Sequence, residues 1–295
     1  MRADLHMHSC YSSDGEFSPS ELIAIAQDSN LDVVTLSDHE SNQGVMEMLA
    51  AGEKAGIKVI PGIELNADIN GDIAHILGLG IDPQSTRFTN YLDDFQKMEN
   101  NISERLIKMF QKHFAMDFDY QEMLARCQAA TWNLIPLVDE LIHNPRYKNR
   151  EEIKPYLPGG AKSDFPAGSF YWDFCSKGQP FYIPLDIHSY SFIIEEIHKD
   201  GGIAILAHPY NLFYERYDYL ENMQAAGLDG IEAFSNYHDD KQNLWYYNYC
   251  KAHNLLVSGG SDFHGSYKPA VKMGEFGCEN QEEVLAEILD VLLKN

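Results

Sequence analysis

The chain has 295 residues, enough for one barrel-sized domain or two smaller ones. Asp and Glu outnumber Lys and Arg 45 to 22, and the resulting charge of −23 repels a phosphate backbone, which argues against bulk binding of duplex nucleic acid. No apolar run approaches the roughly 20 residues that span a bilayer, the opening stretch lacks a signal-peptide core, and the five cysteines form no Cys-x-x-Cys pair, so a soluble cytoplasmic chain with reduced thiols and no membrane partner is expected.

Short β-rich runs at 2–7, Leu31–Ser37, Lys58–Leu65 and Ile73–Gly80, then Ile203–Ala207, Gly230–Phe234 and Leu255–Gly260, alternate with helical stretches. That alternation predicts an α/β chain built on a mostly parallel sheet or barrel. Ser18 is expected to cap the first helix with Pro19 at its first position, and Gly56 to stop the helix before the third strand. Between Ile81 and Leu185 the alternation lapses into helical segments near 88–113, 119–129 and 133–143, followed by a stretch rich in Gly, Pro, Lys and aromatics. We therefore expect a barrel of residues 1–85 and 186–295, with a mainly helical insert of residues 86–185 joining the fourth and fifth strands. Such an insert should sit over one end of the barrel and help enclose a ligand.

The strongest chemical signal is Asp4-Leu5-His6-Met7-His8-Ser9, because residues two apart on a strand share a face and His6 and His8 can grip one ion. Alone, such a pair reads equally well as two solvent or core histidines. Other strand ends add His39 in Ser37-Asp38-His39-Glu40, Glu64 in Gly62-Ile63-Glu64, His75 in Ala74-His75-Ile76, His208 in Ala207-His208-Pro209, and Asp262 with His264 in Ser261-Asp262-Phe263-His264. Barrel enzymes gather their sites at the C-terminal ends of strands, so this placement favours function over chance. Mixed nitrogen and oxygen ligands without thiolates suit zinc, manganese or iron. The ligands exceed what one ion takes, which argues for two or three divalent ions sharing carboxylates.

These segments, together with Ser12-Ser13-Asp14-Gly15, run in order along nearly the whole chain, which resembles the polymerase-and-histidinol-phosphatase (PHP) superfamily. The resemblance implies a distorted seven-stranded (β/α) TIM-like barrel with a trinuclear metal centre. By that likeness His6, His8 and Asp262 hold one ion, Glu64 bridges to a second held by His75 and His208, and Asp14, His39 and His264 hold a third. Asp4, two residues before His6, and Asp38, one residue before His39, should each orient a histidine by accepting its other N–H.

Grouped ions of this kind suit phosphate-ester hydrolysis: a metal-bridging hydroxide would attack phosphorus, with Glu64, His208 and Asp262 as the catalytic set and His208 or Asp262 a candidate for protonating the leaving group. Relatives with an insert at this place resemble enzymes that act on nucleoside 3′,5′-bisphosphates and the 5′ ends of short oligoribonucleotides. The insert's exit, Gly178-Gln179-Pro180-Phe181-Tyr182-Ile183-Pro184, resembles theirs, but Thr131-Trp132-Asn133-Leu134 stands where they often carry a phosphate-binding Arg. His238, Lys162 and Lys268 are the candidate substrate contacts, with Lys177 a further cation, and Trp132, Phe170, Tyr171, Trp172 and Phe174 either stack a base or pack helices. A small anionic phosphorylated substrate is the expected partner. The competing readings are an amidohydrolase-like C–N bond hydrolase, which would ordinarily add a metal-bridging lysine on a middle strand, and a non-catalytic metal-binding module.

Overall fold

A computed structural model describes residues 1–12, 14–129 and 134–294. Two compact units emerge from it: Met1–Thr89 with Ile187–Ser266 and Val271–Asn295, and Asn90–Asp186 with Tyr267–Ala270. No helix among the described residues is long and apolar enough to cross a membrane.

The first unit is a nearly closed seven-stranded barrel whose strands follow one another in chain order. They are β1 (Ala3–Asp4), β2 (Val33–Leu36), β3 (Lys58–Ile69), β4 (Asp72–Leu79), β5 (Ile203–Leu206), β6 (Gly230–Ser235) and β7 (Leu256–Gly260). The β1–β2–β3 and β5–β6–β7 pairings are parallel, as the alternation predicted, but β4 runs antiparallel to both β3 and β5. The cause is local. Ile69 pairs with Asp72 across Asn70-Gly71, both with positive φ, the two-residue turn that reverses a strand tightly. Because β4 is reversed, His75 in its first half lies at the same end of the barrel as the C-terminal ends of the other strands; its carbonyl accepts the N–H of Ala207 at 2.9 Å.

The helix Pro19–Asp28 starts with the reciprocal Ser18–Glu21 capping box and Pro19 that the sequence predicted. The helix Val45–Ala55 ends on Gly56 at φ +73°. Their apolar faces, including Leu22, Ile23, Ala26 and Met48, pack on Val34 and Leu36 of β2. A second cluster fills the barrel: Leu5, Val33, Ile60, Leu77 and Ile205, closed by Ile288 and Leu289 of the C-terminal helix Ala286–Leu292. Burying such side chains is worth about 1.5–3 kcal/mol each, which leaves the polar strand ends free to serve chemistry.

Closure brings β7 against the first strand: Leu5 N–H donates to Gly259 O at 3.3 Å, Asp262 N–H to His6 O at 2.9 Å, and His8 N–H to Phe263 O at 3.0 Å. The approach requires glycine, since a Cβ at Gly260 would collide with the Cβ and backbone nitrogen of His6.

The second unit has its own core. Helices Thr89–Phe114, Tyr120–Ala129 and Leu134–His143 bury Leu106, Ile107, Phe110, Phe114, Leu137 and Leu141 with Phe170 and Phe181. A short π-helical turn, Tyr171–Cys175, follows the helix Pro166–Phe170.

The seam at Gly260 generates a prediction. Gly260→Ala should destabilise the barrel by about 1–3 kcal/mol, the usual cost of overpacking, read as a lowered Tm of the metal-free protein; an unchanged Tm would show that the strands close without this contact.

Candidate metal centre

The period-2 run after β1 carries His6 and His8 into the barrel, where both are fully buried with Nε2 atoms 3.0 Å apart. Two carboxylate oxygens complete the group: Glu64 Oε2 lies 3.1 and 3.2 Å from them, and Asp262 Oδ1 3.3 and 3.0 Å. The partners of the other ring nitrogens settle the protons. His6 Nδ1 sits 3.2 and 3.3 Å from the Glu232 carboxylate, so the neutral ring carries its proton there. Ser12 Oγ donates to Asp14 Oδ1 at 3.1 Å and therefore accepts from His8 Nδ1 at 3.0 Å. Both Nε2 atoms are then lone pairs facing carboxylate oxygens, an arrangement of acceptors that demands a cation or extra protons.

Glu64 organises the rest. Its Oε2 also lies 3.2 Å from His39 Nδ1, while Oε1 lies 3.1 Å from His75 Nδ1 and 3.0 Å from His208 Nε2. The Nδ1 atoms of His39 and His75 are buried and make no hydrogen bond despite those distances. A third group forms on the far side of His8, where His264 Nε2 is 3.0 Å and His39 Nε2 3.9 Å from Asp14 Oδ2. His264 Nδ1 is 2.7 Å from its own chain's Asp262 carbonyl, which again leaves Nε2 as the lone pair.

Among the described residues, three sets of donor atoms therefore converge, each within 4.8 Å: His6, His8, Glu64 and Asp262; His8, Asp14, His39 and His264; and His39, Glu64 and His75. The sets hold eight of the nine sequence-predicted ligands and are joined through His8, His39 and Glu64; the ninth, His208, reaches the cluster through Glu64 Oε1 at 3.0 Å. Ligands about 2.0–2.2 Å from a tetrahedral zinc-like ion stand roughly 3.3–3.6 Å from one another, close to the 3.0–3.3 Å found among His6, His8, Glu64 and Asp262. The residues fit divalent cations.

The field at the centre points the same way. Burial by itself would push the Glu64 carboxyl up, but His39, His6 and His75 outweigh it and hold it well below the usual carboxylate range. Burial opposes a charge on His8, yet Asp262 and Glu64 raise it to about 9, and His6 is likewise raised by Glu64, Glu232 and Asp262. His39, where burial dominates, falls to about 3. Without a cation, the site draws protons onto histidines.

Glu232 was not anticipated. It lies in the middle of β6 beside a register shift between Glu232 and Phe234, fully buried, and accepts from His6 Nδ1 and from His208 N–H at 2.6 Å. A lone acid inside the apolar run Gly230-Ile231-Glu232-Ala233-Phe234 was the available signal. Asp4 and Asp38 correct an expectation: neither accepts a histidine ring N–H. Asp4 accepts from Ser261 N–H and Oγ–H at 2.8 and 2.6 Å and from Gly274 N–H at 2.7 Å, while Asp38 accepts from Ser9 N–H and Oγ–H at 2.6 and 2.7 Å. They fix ligand-bearing loops through backbone and serine. Burial pushes both carboxyls up, Asp38 to about 6.

His238 has both ring nitrogens engaged by protein, Nε2 accepting Tyr210 N–H at 3.0 Å and Nδ1 lying 3.2 Å from Ala233 O. Lys162 and Lys268 belong to the second unit. The Lys162 ammonium is paired with Asp173, and the Lys268 ammonium lies 5.7 Å from the Phe165 ring. In that unit Phe170 is fully buried and stacks on Phe174 with centroids 4.5 Å apart, so it packs helices, whereas Trp172 is 68% exposed. Ser13 and the stretch Thr131-Trp132-Asn133 lie outside the described residues.

A seven-stranded barrel with histidines and carboxylates converging at one end defines a metal-dependent hydrolase. A family model described as the PHP domain matches residues 4–292, and the chain belongs to that family. It is 28% identical over 265 residues, 88% of this chain and 89% of the relative, to a 5′-3′ exoribonuclease of Haemophilus influenzae. It is likewise 28% identical over 272 residues, 88% of this chain and 86% of the relative, to a 3′,5′-nucleoside bisphosphate phosphatase of Chromobacterium violaceum. Its fold matches a candidate metal-dependent phosphoesterase from Bifidobacterium adolescentis with a TM-score of 0.73 at 24% identity, covering 98% of this chain and 95% of that one. The enzyme class is that of the metal-dependent phosphoesterases.

The raised histidine pKa values give the centre a pH signature. With His8 near 9 the metal-free site holds bound protons at neutral pH, and a cation must displace them to reach the lone pairs. Adding Mn²⁺ or Zn²⁺ to metal-free protein in weak buffer should release protons in proportion to metal bound, followed with an indicator dye, and apparent affinity should fall as pH drops. Uptake of metal with no proton release would contradict this protonation pattern.

Proposed function

We propose that the protein hydrolyses a phosphomonoester on a small nucleotide, with a nucleoside 3′,5′-bisphosphate as first choice and the 5′ end of a short oligoribonucleotide as the related substrate. In this reading His6, His8, Glu64 and Asp262 hold one cation, His75 and His208 share a second with Glu64, and Asp14, His39 and His264 complete a third position with His8. Zinc, manganese and iron suit this donor set. Divalent ions bound there would supply Lewis acidity toward phosphoryl oxygens and a water acidic enough to attack at neutral pH.

The observation that carries the chemistry is the set of facing acceptors, His6 Nε2, His8 Nε2, Glu64 Oε2 and Asp262 Oδ1, spaced 3.0–3.3 Å. The chain's own groups set the direction of approach. His6, His8 and His264 are fully buried and His39 and Asp14 keep 14% and 15% of their side-chain surface, while His75 and His208 are the most open at 27% and 19%. Substrate therefore meets the cluster along the His75–His208 edge, where Tyr237 leans on the His208 ring with centroids 5.2 Å apart. His208 and Asp262 are the groups beside Glu64 that can pass a proton to the departing oxygen, and of the two only His208 faces this open edge.

The nucleotide reading is supported by two of the relatives that the chain matches over most of their length, one named a 3′,5′-nucleoside bisphosphate phosphatase and one a 5′-3′ exoribonuclease. The charge of −23 favours a short ligand over a polyanion, which would meet repulsion away from the cations.

The test compares kcat/KM for 3′,5′-bisphosphates, plain mononucleotides, short oligoribonucleotides and sugar phosphates at one fixed Mn²⁺ concentration and ionic strength. The bisphosphate or the oligoribonucleotide should lead. Sugar phosphates ahead by tenfold, about 1.4 kcal/mol in transition-state binding, would overturn the nucleotide reading and leave the phosphoesterase intact.

A further inference from the structure

Between β5 and the following helix Tyr210–Phe213 the chain makes an unusual turn: His208 has φ +21° and Tyr210 φ +41°, left-handed backbone that residues with a Cβ rarely adopt. Such a turn persists only where its surroundings over-determine it. Here the surroundings are explicit. The Glu232 carboxylate accepts His208 N–H at 2.6 Å, His238 Nε2 accepts Tyr210 N–H at 3.0 Å, and Tyr246 Oη–H donates to Tyr210 O at 2.7 Å.

We propose that His238 is a positioning residue, whose ring clamps the left-handed turn at Tyr210 and thereby fixes where His208 presents Nε2 to Glu64. This rests on the reading of His208 as a member of the metal centre. The ring is itself oriented. Because Nε2 must accept from Tyr210, the proton belongs on Nδ1, which faces Ala233 O at 3.2 Å and Asn243 Oδ1 at 3.1 Å, and the ring stacks on Tyr246 with centroids 5.0 Å apart. Burial lowers the His238 pKa, in keeping with a neutral ring that accepts. No ring nitrogen remains for a substrate, so His238 acts through the turn and not by touching the phosphate.

The position of the acceptor makes the proposal testable. A glutamine at 238 can place its Oε1 where Nε2 stands, whereas an asparagine reaches only the Nδ1 position and leaves Tyr210 N–H without its acceptor. With adenosine 3′,5′-bisphosphate and Mn²⁺ as probes, His238→Ala and His238→Asn should lower kcat roughly 10–100-fold, the scale of a slightly misplaced reacting group. KM should stay within about twofold, because no substrate contact is lost. Both variants should also retain less Mn²⁺ after dialysis, by elemental analysis, while His238→Gln recovers most of the activity and the metal. If His238→Ala fails to fold, the comparison of His238→Gln with His238→Asn stands alone, and equal activity and metal content in those two overturn the proposal. Unchanged kcat and metal in His238→Ala overturn it, as does a loss confined to KM. His208→Ala separates the two levels: a defect there beside a normal His238→Ala removes the positioning role alone, whereas two normal variants remove the reading of His208 as well.

Discussion

A carboxylate buried among imidazoles is the constraint on which the barrel's open end is built. Glu64 has His6, His8 and His39 within 3.2 Å of one oxygen and His75 and His208 within 3.1 Å of the other, and it is fully buried. An uncompensated charge in such a place costs several kcal/mol even after relaxation, so the chain must bring compensating groups from several strands to one point. The reversal of β4 delivers His75, the absence of a Cβ at Gly260 lets β7 close on His6, and the register shift in β6 turns Glu232 toward His6 and the His208 backbone. Each device disturbs a regular barrel locally, and each serves the same few atoms.

Left-handed backbone recurs around this assembly. Glu40, His208, Tyr210 and Asp262 all adopt positive φ, and each is a candidate ligand or lies within two residues of one. Asp4 and Asp38 hold Ser261 and Ser9, the residues beside Asp262 and His8, by hydrogen bonds to both N–H and Oγ–H. The hydrophobic clusters below provide the stability that permits such a site.

Much of this was legible in the sequence because strand periodicity and strand-end chemistry are local. His6 and His8 two apart, Ser18-Pro19 before a helix and Gly56 after one each announce their structure without tertiary information. The reversal of β4 escaped a reading that looked only for alternation, although Asn70-Gly71 between apolar runs carries the signal. Glu232 was hidden for a different reason: its partners, His6 and the backbone of His208, lie far away in sequence and meet it only when the barrel closes. The sequence sets Asp4 and Asp38 close to candidate ligands, but spacing alone cannot say whether a carboxylate will find an imidazole or a serine and a backbone N–H. His238 shows the same limit, since its proximity to a strand end was visible and its engagement with Tyr210 was not.

The central proposal is that Glu64 would be shared between neighbouring cations. Anomalous diffraction from crystals of the metal-loaded protein, collected at the absorption edge of the ion supplied, tests this directly. The account predicts at least two peaks flanking Glu64, one among His6, His8 and Asp262 and another beside His75 and His208. A single peak, or peaks that leave Glu64 uncoordinated, would contradict it.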